Sequence, residues 1–205
     1  MEEKIPLPTR GEAESILNWA NTQNPGIWAN HCRVTARAAE VIAGFCALDT
    51  ERAYISGLLH DIGRYSGVRA LHHAYAGYDL LKEKGYAKLA EICLSHSYPY
   101  QDIGAYCGEW DVTPAELSVI TSYLENAQYN IYDKLIQLCD AMCSAQGVCL
   151  IEKRIVDVTR RYGFNDFTLK KWNATFSLKE HFDEACQTNI YDLFREEIRD
   201  ITFKT

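Results

Sequence analysis

Apolar residues recur at intervals of three and four along almost the whole chain, the spacing of amphipathic helices. The recurring stretches fall near 10–22, 26–47, 50–63, 70–84, 86–96, 113–126, 130–146, 150–162, 168–186 and 189–200. No alternating strand pattern, internal repeat or low-complexity tract interrupts them, so the predicted fold class is all-α. Pro25, Pro99 and Pro114 stand where helices would start or stop. Thr50 ahead of Arg52 and Ala53, and Thr113-Pro114 with Glu116, have the form of N-terminal caps. Two stretches, 64–69 and 97–112, lack the helical period. The second is rich in aromatic residues and long for a plain connector, so it either borders a pocket or packs as a surface loop.

Composition narrows the class. A chain of 205 residues, 47% hydrophobic and 24% charged, has the profile of an ordinary globular protein able to bury one full core. With 21 basic and 28 acidic side chains the net charge is -7, which argues against gripping nucleic acid. A small phosphorylated substrate remains compatible, because a metal ion can supply local positive charge. The N-terminus has no apolar core of signal-peptide length, and no apolar run approaches the ~20 residues of a membrane span. The expected location is therefore cytoplasmic, with no membrane partner. Eight cysteines lie at 32, 46, 93, 107, 139, 143, 149 and 186 with no Cys-x-x-Cys pair; mostly in apolar helical stretches, they read as reduced core thiols, not a zinc knot.

Five of the six histidines fall before residue 97, several on the buried side of their helices. On helix 26–47, Asn30, Arg33, Arg37, Glu40 and Gly44 trace the polar face. His31 aligns instead with Val34, Thr35, Ala38, Val41 and Phe45 and points inward. Leu58-Leu59-His60-Asp61-Ile62-Gly63 puts a carboxylate at the end of an apolar helix, where desolvation is costly without a partner. A metal cation suits imidazole and carboxylate together. Asp140, among Ile136, Cys139 and Cys143, poses the same problem. His72 and His73 differ by about 100° on a helix: His72 shares its side with Asp79 and Glu83, and His73 with Ala76, Gly77 and Leu80. His96 follows Ile92-Cys93-Leu94, whereas His181 sits among charged residues and reads as a surface histidine.

His31, then His60-Asp61, then Asp140 resembles, in order and context, the HD superfamily of metal-dependent phosphohydrolases over roughly residues 26–146. His60-Asp61-Ile62-Gly63 is the string that names one of its subgroups. The resemblance implies a single HD-type helical bundle at 26–146, preceded by a helical segment at 1–25. A helical extension at 147–205 would pack on the core or form a homodimer interface. It further implies a metal set of His31, His60, Asp61 and Asp140, with His73, His96 and a bridging Asp61 holding a second ion. That spacing is similar to the symmetrical dinucleoside tetraphosphate hydrolase branch. The cofactor would be a divalent transition metal, two ions per chain, with iron, manganese, cobalt, nickel and zinc not distinguished.

The implied activity is hydrolysis of a small phosphorylated substrate, a nucleotide for example, by metal-activated hydroxide attacking phosphorus. Asp61 would be central to it, and Arg64 and Lys134 are candidates for holding phosphate. The family commonly carries Lys at the position of Arg64. Two alternatives share the scaffold: a mixed-valent di-iron HD oxygenase using the same ligand types, and a non-enzymatic nucleotide-sensing module.

Overall fold

The structure, a computed structural model, describes residues 5–203. Its helices are α1 (Arg10–Gln23), α2 (Trp28–Phe45), α3 (Thr50–Leu59), α4 (His72–Glu83), α5 (Ala87–Ser95), α6 (Pro114–Asn126), α7 (Ile131–Met142), α8 (Ile151–Tyr162), α9 (Thr168–Cys186) and α10 (Arg195–Phe203). The all-α class is as predicted, with one small addition. The stretch read as the end of helix 130–146 is instead an antiparallel hairpin of β1 (Cys143–Ser144) and β2 (Gly147–Val148). Among the described residues, no helix is long and apolar enough to cross a membrane.

Caps set most of the boundaries. Thr9 with Glu12, Thr113 with Glu116 and Asn130 with Asp133 form reciprocal capping boxes at α1, α6 and α7. At α3 the cap is Asp49, whose carboxylate accepts from the Arg52 amide; Thr50 is the first helical residue, not the cap. The helix predicted over 50–63 stops at Leu59, and the chain re-forms as a 3₁₀ turn at Ile62–Ser66. Asp61 sits in that break at φ -108° and ψ 15°.

Small residues let the site-bearing helices touch. A Cβ on Gly57 of α3 would fall 2.7 Å from Ala36 Cα of α2, so the two backbones are in direct contact there. A Cβ on Gly63 would collide with the backbone of α4 at His73 and Gly77. The main core gathers Leu17 of α1, Ile42 of α2, Leu58 of α3, Leu138 of α7, Phe182 of α9 and Ile198 of α10. The first and last helices therefore share one hydrophobic cluster with the central ones. Arg37 of α2 adds a two-pronged ion pair to Glu197 of α10, at 2.6 and 2.7 Å. A second cluster, centred on Leu71, Leu94, Tyr98, Ile120 and Leu124, packs α6 and the 97–112 loop over α4 and α5.

Candidate metal centre

Six side chains converge where α2, α3, α4, α5 and α7 meet. His31 Nε2 lies 2.9 Å from Asp140 Oδ1, and His60 Nε2 lies 3.7 Å from the same oxygen. His73 Nε2 and His96 Nε2 lie 3.0 and 3.6 Å from Asp61 Oδ1, and 3.3 Å from each other. Two groups result, His31/His60/Asp140 and Asp61/His73/His96, each with its ligand atoms within 4.8 Å of one another. The His31–His60, His60–His96 and His73–His96 ring centroids are 5.2 to 5.3 Å apart, which links the two groups.

Local backbone chemistry fixes the tautomers. His60 Nδ1 donates to the Gly57 carbonyl at 2.7 Å, His96 Nδ1 to Cys93 at 2.8 Å, and His73 Nδ1 to Ala70. Each acceptor is the carbonyl three residues earlier. Carbonyl oxygens only accept, so Nδ1 carries the proton on all three rings and Nε2 presents its lone pair. Fixing a ring this way is how outer partners orient metal-binding histidines.

Burial and charge complete the setting. His60, Asp61, His73 and His96 are all buried. Burial alone would lift the Asp61 carboxyl, but Arg64 and His73 outweigh it and hold the group well below the usual carboxylate range. Asp140 is likewise held well below the usual range, by His31 and His60 against the same opposition from burial. Burial, reinforced by the neighbouring His60, pushes His96 down to about 3, so at neutral pH it is an uncharged imidazole. Burial works against the charged form of His60 too, yet Asp140 and Asp61 raise it above its ordinary value.

These residues fit a divalent cation. His60 Nε2 and Asp61 Oδ1 are buried without a hydrogen-bond partner; the nearby His73 Nε2, with the ring proton on Nδ1, has none to donate to that oxygen. Orphaned buried atoms of this kind are rare in folded proteins. Here both are ligand atoms facing other ligand atoms, in a nitrogen and carboxylate set suited to transition metals. Asp61 offers one oxygen to the group with His73 and His96, and its second oxygen accepts from Arg64 Nε.

Supporting contacts come from places with no linear signal. Asp111, in the aromatic loop, accepts from the amides of Ala70 and His72 at 2.9 Å each and so caps α4 from outside. That pins the turn carrying His73. Gln137 of α7 donates to the Ser95 and Tyr98 carbonyls at 3.1 and 3.0 Å, bracketing His96. Leu71, Leu94 and Tyr98 bury the remaining surface around these joints.

Of the two proposed phosphate-holding cations, Arg64 lines the cleft in front of the centre. Lys134 does not. Six residues along α7 from Asp140 correspond to a rise of about 9 Å and a turn of about 240°, so sequence proximity does not put it at the mouth. His72 stands outside both groups and faces Glu116, with Nδ1 3.4 Å from its carboxylate, rather than open solvent. His181 is exposed, as expected. Phe45, placed on the inward stripe of His31, is 58% exposed at the end of α2. All eight cysteines are free thiols, and neither ligand group includes one among the described residues.

The far wall of the cleft is built by α8 and α9, which contribute Arg154, Arg160, Arg161 and Lys171. None of the four has a carboxylate within ion-pair distance among the described residues. Lys171 Nζ donates to the Ala105 carbonyl at 3.0 Å. Sequence reading passed over these cations because nothing in 147–205 marks which face of each helix turns toward the metal ligands. The high charge density of α8 was the one available hint.

The family model for the HD domain matches residues 28–145. Comparison with curated proteins and with solved structures gives no match.

Proposed function

The chain belongs to the HD-domain family, and from that premise we propose that it is a metal-dependent phosphohydrolase acting on a small phosphorylated substrate such as a nucleotide. One observation carries the reading: two linked His/Asp groups, with His60, His73 and His96 preset to ligate through Nε2, facing a wall of cations that have no carboxylate partner.

His31, His60 and Asp140 would hold one divalent ion, and Asp61, His73 and His96 a second. When bound, such ions lower the pKa of water and neutralise charge on a phosphoryl group. The chain's own residues do the rest. Arg64 engages one oxygen of Asp61 and leaves the other directed at His73 and His96. Arg154 and Lys171 offer positive charge to the phosphoryl oxygens from the opposite side.

This wall favours a phosphohydrolase over the oxygenase and sensor alternatives. Cations without carboxylate partners suit a dianionic ester, and no ligand position has been lost. The test is phosphate release from a panel of nucleotides and sugar phosphates, before and after chelation and with Mn²⁺, Co²⁺ or Fe²⁺ restored. The expected result is metal-restored release that Asp61→Ala abolishes. Iron-specific oxygen consumption without phosphate release would overturn the reading in favour of the oxygenase.

A further inference from the structure

Behind Asp140 a mostly apolar cavity opens between α7, α8 and α9, lined by Ile155, Val158 and Trp172 together with Gln137, Arg154 and Lys171. It adjoins the cleft: Asp140, Arg154, Val158 and Lys171 line both. Its helical walls α8 and α9 lie outside the segment matched by the HD-domain model.

Two of the residues that line it carry a buried polar atom without a partner. Gln137 is 3% exposed, and its amide orientation is fixed because Nε2 donates to the two carbonyls of Ser95 and Tyr98. Oε1 is therefore an acceptor, buried and without a donor. Arg154 Nε is buried and unpaired as well. A cavity with apolar walls, one aromatic face, one waiting acceptor and cations at its open side matches an amphiphilic anion.

We propose that this cavity is the specificity pocket of the enzyme. It takes the flat organic group of a phosphate ester, stacks that group against Trp172, and reads an N–H donor on it through Gln137 Oε1. Arg154 and Lys171 hold the phosphate toward Asp61 and Asp140. Val158 and Ile155 set the width of the slot. The proposal rests on the phosphohydrolase reading for its chemistry, but its test needs no turnover.

The experiment measures equilibrium binding of nonhydrolysable phosphonate analogues to the full-length protein as purified. The probes are analogues of AMP, GMP, CMP, UMP and ribose 5-phosphate. At least one nucleoside analogue should bind about tenfold more tightly than the ribose analogue, the scale of one base–aromatic stack. Trp172→Ala should erase that margin while leaving the ribose analogue's affinity within about twofold. Val158→Phe, which narrows the slot without removing Trp172, should do the same and covers the case in which the first variant fails to fold. Equal binding of all five probes to the unaltered protein overturns the proposal, as does a margin that survives both substitutions. Phosphate release with no base preference would uphold the phosphohydrolase and sink the pocket; base-selective binding without phosphate release would do the reverse.

Discussion

Gly63→Ala is a demanding test of how the centre is assembled, because one methyl group should separate two halves of it. The new Cβ would crowd three backbone atoms of α4: the carbonyl oxygen and carbon of His73 and the amide nitrogen of Gly77. Against the carbon alone the separation would be 2.9 Å, whereas carbon atoms rest about 3.5 Å apart. Relief therefore needs α4 to retreat by at least about 0.6 Å, and more to clear the oxygen. That exceeds the tolerance of about 0.2 Å within which metal–ligand distances hold. His73 rides on the displaced turn, so its approach to Asp61 at 3.0 Å would be lost. Overpacking against rigid backbone costs about 3 kcal/mol, the upper end of the usual range, or about 6–12 °C in Tm for a domain of this size. Thermal unfolding and metal analysis of the same preparation give the readout. The expected result is a Tm lowered by that amount and loss of the ion held by Asp61, His73 and His96, with the His31 group less affected. Gly11→Ala, where a Cβ meets nothing within 4 Å, is the control and should be neutral or mildly stabilising. A Gly63→Ala protein with unaltered Tm and full metal content would refute this account of the turn.

Other outcomes follow from the same geometry. His96→Ala should halve the metal content and reduce phosphate release at least about tenfold, the usual scale for a disturbed metal site, whereas Lys134→Ala, off the cleft, should change kcat/KM by less than about twofold. Arg64→Ala should weaken metal retention, because it frees the oxygen of Asp61 that the guanidinium engages; dialysis against a graded chelator series would measure it. Asp111 supplies a pH signature. Burial opposes its ionisation, but the His72 and Ala70 amides outweigh burial and hold its carboxyl below the ordinary value. A carboxyl depressed in the folded state contributes stability above its unfolded pKa of about 3.9 and loses it as pH falls through the folded value. The stability gap between the unaltered protein and Asp111→Ala in urea should thus be fully open at pH 6 and narrow progressively below about pH 4.

The six converging residues were legible in the sequence for a physical reason. Histidines and aspartates at apolar positions of helices are expensive unless something pays their desolvation, and that expense marks His31, His60, Asp61, His73, His96 and Asp140 without any structure. The family resemblance then ordered them into one site. What stayed hidden depends on contacts between distant segments. The capping of α4 by Asp111 joins positions 39 and 41 residues apart. The break after Leu59 interrupts an apolar pattern that continues through Ile62. Arg154 and Lys171 reach the cleft only because α8 and α9 fold back over Asp140, and helical spacing cannot reveal what a charged face will meet. Lys134 erred in the opposite direction, where nearness in sequence stood in for direction on a helix.

The count of transition-metal equivalents per chain, by elemental analysis of protein purified without chelator, tests the central claim most directly. Two equivalents in the unaltered protein, falling to one or fewer in Asp61→Ala, is the predicted result. Less than one equivalent in the unaltered protein, or a count that Asp61→Ala leaves unchanged, would contradict the assignment of these six residues as a metal centre.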